Sequence, residues 1–500
     1  MTAFPLYRVS CMSFDLVFFG GTGDLTWRKL MPALFQAWRH GKLPAEGRIL
    51  AVARDERTDA SYRQWLKDKL STADDNAKRP TDDEFDRFAA LVHYLRMDLS
   101  QPEDYQLLSQ WLGSRSADTV VMYLATSPHL FPVICEQLGA AGLNHPGVRV
   151  VLEKPLGHDL KSAQVINQAV RAVFSEQQAL RIDHYLGKPS VQNLMALRFG
   201  NVLFEPLWRR ESIANIQITL AESLGVGTRG DFYDRTGALR DMIQNHALQL
   251  LTMVAMEPPS SADADAIRDE KLQVLRSLNP FDATSVTRDV VRGQYRAGTV
   301  DGVAVPSYLD EAKVPPGSTT ETFVALRCEI QNWRWAGVPF YLRTGKRLAH
   351  RHAEIVVNFR PTPHSIFPST QSPNKLVIKL QPTDGLQLHL LAAKGSVHLP
   401  DNGAQSEMLA PVSLDLDFDE AFPTERVGAY ERMLLDALAG RLNLFVRSDE
   451  QEQAWRWVEP ILEAWRNDPG GIRAYSAGTW GPAAASALVA RDGFSWTEES

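Results

Sequence analysis

The rhythm of apolar and polar positions changes along this chain, and the change divides it. Asp15-Leu-Val-Phe-Phe-Gly20 is a short, almost continuous apolar run that ends in glycine. That is the pattern of a strand buried on both faces of a parallel sheet. Arg48–Ala53, Thr119–Ala125 and Val148–Glu153 repeat it. Between these runs, Leu25–Arg39 and Ser61–Leu70 carry apolar residues at helical spacing, and Pro32 is expected to start a new turn or kink the first helix. The acidic stretch Ser71–Asp86 reads as a surface loop leading into a helix. Strands that alternate with helices predict a Rossmann-like doubly wound parallel sheet, placed over residues 1–190.

Beyond that boundary the period shortens to two. Ile216, Ile218 and Leu220 alternate with Asn215, Gln217 and Thr219, and Val324, Leu326, Cys328 and Ile330 alternate with polar or small neighbours. Alternation means strands covered on one face, hence a large, mainly antiparallel sheet. Gly237–Met256 reads as a helix, and the tail bearing Trp455, Trp457 and Trp465 as amphipathic helices closing over the domain. The expected fold class is α/β plus α+β, with residues 191–500 forming the second domain.

Composition narrows the choice of ligands. A net charge of −7 disfavours whole-protein attraction to nucleic acid or an anionic membrane, so a phosphate would have to be held by a local cluster of donors. Cys11, Cys135 and Cys328 have no CxxC spacing, which argues against a disulfide framework and a zinc site and fits a reducing cytoplasm. No apolar run reaches the roughly 20 residues of a membrane span, and the N-terminal stretch lacks the pattern of a signal peptide. A soluble, unprocessed protein is expected.

Against this background five segments carry candidate chemistry. Gly20, Gly21, Thr22, Gly23, Asp24 and Leu25 sit between a strand and a helix, where backbone N–H groups can approach a pyrophosphate; a tight turn would need glycine for steric reasons as well. Arg54 ends the second strand, where NAD-binding domains usually place an acid. An arginine there can fork onto a 2′-phosphate and implies NADP, while Asp55 beside it leaves room for some use of NAD. Glu153-Lys154-Pro155 follows another strand, so Lys154 could reach substrate and cofactor together, or merely end a strand in a salt bridge. In Arg181-Ile-Asp-His-Tyr-Leu-Gly-Lys188, the side chains of His184, Tyr185 and Lys188 offer three kinds of donor within one turn, enough to surround a phosphate. His246 lies one turn after Met242 and one before Leu250, on an apolar stripe where a lone histidine is more often core than base.

GGTGDL, EKPLG, RIDHYLGK, RDMIQNH, FYLRTGKRL and GTWGP, in this order and spacing, resemble the glucose-6-phosphate dehydrogenases over essentially the whole chain. The resemblance implies oxidation of glucose 6-phosphate at C1 to 6-phosphogluconolactone with hydride transfer to NADP, the first step of the oxidative pentose phosphate pathway. It implies a site between a Rossmann-like domain and an α+β domain, the latter often mediating dimers, and so a homodimer or homotetramer. By motif, His246 resembles the general base and Asp183 the carboxylate that orients it. His184, Tyr185 and Lys188 resemble the phosphate cluster. Glu222 and Asp241 resemble residues holding sugar hydroxyls, and Lys154, Lys346 and Arg351 further substrate contacts. Trp27, Arg28, Pro189, Thr228 and Arg351 depart from the family pattern. The rivals are a related Rossmann-type dehydrogenase for an unphosphorylated sugar, which would not need the phosphate cluster, and a catalytically silent NADP-binding sensor, which would be free to lose the base.

Overall fold

The computed structural model describes residues 13–71, 79–113, 117–364, 374–393, 409–422, 427–468 and 471–499. Cys11 and part of the Ser71–Asp86 stretch lie outside them. The chain forms two compact units. The first comprises residues 1–187, 260–269 and 427–452, and the second residues 188–259, 270–426 and 453–500. Two segments from beyond residue 190 therefore fold with the N-terminal unit, a return that local periodicity does not register.

The first unit is built on a sheet of β1 (Ser13–Phe19), β2 (Glu46–Ala53), β3 (Val92–Arg96), β4 (Thr119–Leu124), β5 (Val148–Leu152) and β6 (Ala179–Ile182). These six run parallel in the order β6-β5-β4-β1-β2-β3. A two-residue strand, Phe445–Val446, adds antiparallel to β6 at the edge. Alternate side chains of β1 enter different cores. Phe14, Leu16 and Phe18 pack with Leu34, Phe35, Tyr62 and Leu66, whereas Val17 and Phe19 pack with Leu108, Ile134, Leu138 and Ile166. Helices on both faces explain why the strand is buried at every position, its one charge, Asp15, being paired with Arg48 at 2.6 Å. The helix expected over Leu25–Arg39 has two parts. A wide π turn, Thr26–Leu30, leads into α1 (Met31–Arg39), and Pro32 sits in the first turn of α1, where its missing N–H costs nothing. The Ser61–Leu70 helix is α2 (Asp59–Ser71).

The second unit contains α3 (Pro189–Phe199), β7 (Ile213–Ala221), α4 (Gly230–Ala238), a π-helix over Leu239–Ala247 and α5 (Leu248–Ala255). Further strands are β8 (Val290–Arg296), β9 (Phe323–Glu329), β10 (Pro339–Gly345), β11 (His352–Phe359), β12 (Lys375–Gln381), β13 (Gly385–Ala393), β14 (Leu409–Asp417) and β15 (Arg473–Ser476). They form one sheet in the order β14-β13-β12-β11-β7-β10-β9-β8-β15. It is mainly antiparallel, as expected, with parallel pairing of β7 to β10 and of β8 to β15. The helix expected over Gly237–Met256 is broken at its start. Gly237 has φ 72°, and an added Cβ there would lie 2.3 Å from the Glu321 carboxylate. Among the described residues no helix is long and apolar enough to cross a membrane.

Candidate active site

In the first unit, Gly20 and Gly21 both donate backbone N–H groups to the Val52 carbonyl, at 2.9 and 2.8 Å, so the glycine turn is tied to the end of β2. Gly20 has φ 92°, and a Cβ there would sit 2.5 Å from the Ala125 carbonyl oxygen; at Gly21 it would sit 2.6 Å from Ala51 Cβ. Both positions need glycine for packing. Gly23 differs: its Cβ would meet only the Gly20 and Ala125 oxygens, at 3.1 and 3.9 Å. Gly23 is therefore less tightly enclosed than the other two, and a glycine turn between a strand and a helix fits the pyrophosphate cradle of a dinucleotide. Thr22 donates to Asp55 at 2.6 Å. Arg54 is exposed just beyond β2, and Asp24 is exposed in the turn itself.

The EKP segment leaves β5 at Glu153, a buried carboxylate. Its two oxygens accept from the Tyr123 hydroxyl at 2.7 Å and from the Lys154 backbone N–H at 3.2 Å. Lys154 and Pro155 are joined by a cis peptide bond. Burial pushes the Glu153 carboxyl up to about 7 against these donors and the Lys154 charge, and Asp183 adds to the rise. Because the folded pKa lies above the ordinary 4.5, the contribution of Glu153 to stability is present below that value and lost as pH rises through 7. Glu153→Gln keeps an acceptor for Tyr123 but carries no charge. Its stability relative to wild type should therefore improve by roughly 2–3 kcal/mol between about pH 5 and about pH 8, read from melting curves at both. A pH-independent difference would mean that Glu153 does not titrate in this range.

RIDHYLGK begins on β6 and turns. Asp183 is 3% exposed; its carboxylate accepts from the Tyr185 N–H at 3.0 Å, and its carbonyl accepts from the Leu186 N–H at 3.0 Å. The His184 ring stacks on Tyr430 with centroids 5.8 Å apart and planes 11° apart. Asp183, His184 and Tyr185 thus share one fixed turn of the first unit. Lys188, the last residue of the motif, belongs to the second unit.

There, two polar clusters form. Glu222 follows β7, and its carboxylate pairs with Lys346 Nζ at 2.6 Å, while that ammonium lies 4.9 Å from the Tyr233 ring centroid. At the end of β12, Gln381 gathers the other pair: with its amide oxygen turned toward them, it accepts from Lys188 Nζ at 2.9 Å and from Arg351 at 3.2 Å. Sequence reasoning missed Gln381, because one glutamine ending an apolar strand carries no local signal. Asp241 and His246 lie on the π-helix, and His246 is fully buried. Wide turns of this kind recur at functional sites and shift the helical phase, so simple one-turn spacing does not describe the surroundings of His246. Glu321 was also missed. Its carboxylate accepts from the Leu239 N–H at 3.0 Å and its carbonyl from the Ala238 N–H at 3.0 Å, which anchors the start of the helix that carries Asp241 and His246. The bare Gly237 that makes room for it was the available signal.

A doubly wound sheet with a dinucleotide turn, joined to a large mixed sheet bearing carboxylates, lysines and a buried histidine, defines a nicotinamide-linked oxidoreductase of two-unit construction. Two family models match the chain in succession: the NAD binding domain of glucose-6-phosphate dehydrogenase over residues 17–193 and its C-terminal domain over residues 195–497. The glucose-6-phosphate 1-dehydrogenase of Mycolicibacterium smegmatis is 49% identical, covering 96% of this chain and 97% of that protein. The Rhizobium meliloti enzyme of the same name is 46% identical, covering 97% and 98%. A crystal structure of the Mycobacterium avium enzyme superposes with TM-score 0.84 at 39% identity, covering 98% of this chain and 99% of that one. A glucose-6-phosphate dehydrogenase solved with its substrate glucose 6-phosphate superposes with TM-score 0.87 at 32% identity, covering 99% and 100%. The chain belongs to the glucose-6-phosphate dehydrogenase family.

Proposed function

We propose that this protein oxidises glucose 6-phosphate at C1 to 6-phospho-D-glucono-1,5-lactone, with NADP as the hydride acceptor. The observation that carries the reading is the succession of both family models, over residues 17–193 and 195–497. When bound, NADP supplies the electrophilic nicotinamide carbon; this chain's own residues do the rest. The Gly20–Leu25 turn cradles the pyrophosphate, with Lys154 beside the cofactor and Arg54 contributing charge to the 2′-phosphate. His184, Tyr185 and Lys188 hold the sugar phosphate, Glu222 and Asp241 the sugar hydroxyls, and Lys154, Lys346 and Arg351 add substrate contacts. His246 takes the proton of the C1 hydroxyl as the hydride departs, and Asp183 stabilises the imidazolium that forms.

In this reading residues 1–190 serve the cofactor, and residues 191–500 serve the substrate and subunit assembly in a cytoplasmic homodimer or homotetramer. Assembly is supported by the sheet edge at β14, where Val412, Leu414 and Leu416 are 41%, 60% and 46% exposed, since an exposed apolar edge strand seeks a partner. Cofactor reduction followed by near-ultraviolet absorbance, with glucose 6-phosphate, glucose or no sugar, tests the activity. Rapid reduction with the phosphorylated sugar alone is expected. Equal rates with glucose would favour a dehydrogenase for unphosphorylated sugars, and no reduction with either would favour a non-catalytic role.

A further inference from the structure

We propose that Asp55 sets the balance between NADP and NAD: its carboxylate accepts the adenosine ribose 2′-hydroxyl of NAD and opposes the 2′-phosphate of NADP, so that the protein binds both. This rests on the cofactor reading above. A carboxylate just past the second strand of a doubly wound sheet is the group that grips the ribose hydroxyls of NAD, and an arginine near it accommodates the phosphate of NADP. This chain has both residues side by side, and the structure distinguishes where they are held.

Asp55 is fastened to the dinucleotide turn. Thr22 donates its hydroxyl to the Asp55 carboxylate at 2.6 Å, and the turn itself hangs from β2 through the Gly20 and Gly21 bonds to Val52. The backbone beneath is fixed as well, because the Tyr94 hydroxyl lies 2.6 Å from the Asp55 carbonyl and 3.2 Å from that of Ala53. From the other side of the turn, Tyr62 donates to the Gly21 carbonyl at 2.7 Å. Arg54 is exposed, as is Asp55, and its charge acts toward the end of β3. There the Asp98 carboxyl is held below its usual range first by hydrogen bonds from Ser100 and, in smaller part, by Arg54.

The acid is therefore fastened to the turn, and the arginine beside it supplies the charge that a 2′-phosphate requires. With Thr22 spending its proton on Asp55, that hydroxyl reaches a phosphate only by giving up the bond. A phosphate beside Asp55 also meets a like charge. A ribose hydroxyl meets an acceptor already in place. Two neighbouring residues thus favour different cofactors, and neither cofactor is excluded.

Isothermal titration calorimetry of the wild type and of Asp55→Asn with NADP and with NAD, no sugar present, tests this without relying on turnover. The Asp55 carbonyl that accepts from Tyr94 is retained in the variant, and a melting curve checks the fold. The ratio of the NAD to the NADP dissociation constant is expected to rise at least about tenfold in Asp55→Asn, NAD weakening and NADP tightening, as fits one charge-assisted hydrogen bond lost and one repulsion removed. Arg54→Ala should move the ratio the other way. A ratio in Asp55→Asn that rises by less, stays or falls overturns the proposal. Failure of the wild type to bind either cofactor would instead sink the reading on which it rests.

Discussion

Replacing His246 by asparagine is expected to lower kcat by about 10²- to 10⁴-fold while leaving most substrate and cofactor affinity intact, the scale on which a general base contributes. Asparagine keeps a polar side chain of similar reach on the π-helix but cannot accept the C1 proton. Asp183→Asn should be impaired too, because a neutral amide does not stabilise the imidazolium and can favour the wrong tautomer. Since base and carboxylate act as a unit, the double variant should lose far less than the product of the single losses. The acid-side fall of kcat/KM in the wild type should be missing or displaced in His246→Asn. A histidine that merely fills the core predicts something else, for His246 is fully buried: a lowered melting temperature with near-normal kcat in the folded fraction. Melting temperature and kcat measured on one purified sample decide between them, and a destabilised but fully active variant would remove His246 from the mechanism.

Lys188→Ala is expected to raise KM for glucose 6-phosphate about 10- to 100-fold, the worth of one charge-assisted contact, while scarcely changing any activity toward free glucose. Lys188 is 8% exposed and is held, with Arg351, on the Gln381 carbonyl. Two cations brought together at one side chain suit a dianionic ligand. Steady-state kinetics with both sugars provides the check. Equal losses with the two would assign Lys188 to the fold or to the chemistry and end the phosphate-anchoring idea.

What could be read from the residues follows the range of the interactions. β1, β2, β4 and β5 declare themselves because a strand buried on both faces is mostly apolar along a run of neighbouring positions, which is a local property. β3 and β6 were missed for the opposite reason. Val92–Arg96 carries a histidine and an arginine, and Ala179–Ile182 carries Arg181, buried at 0% exposure, whose charge is met by Glu176 at 2.6 Å and Asn167 at 3.0 Å. A buried ion pair looks polar in a sequence and apolar only in a fold. The motif residues were visible by type, yet not their partners. Gln381 stands 193 positions after Lys188, and Glu321 lies 82 positions beyond the helix start it holds. Gly237 was absorbed into a helix because a single glycine is tolerated there; its positive φ becomes evident only beside Glu321.

The return of residues 427–452 to the first unit bears on how the chain is made. Met433, Leu434 and Leu438 of the Ala429–Ala439 helix, together with Phe445, belong to the same core as Phe14, Leu16 and Phe18 of β1. On a ribosome, the first strand would emerge some four hundred residues before the side chains that complete its packing. Domains usually close in the order in which they are synthesised. Here the nucleotide-binding half must wait, with one face of its sheet partly bare, until almost the entire second half has been translated, so the period of greatest exposure to misassembly coincides with the folding of its neighbour.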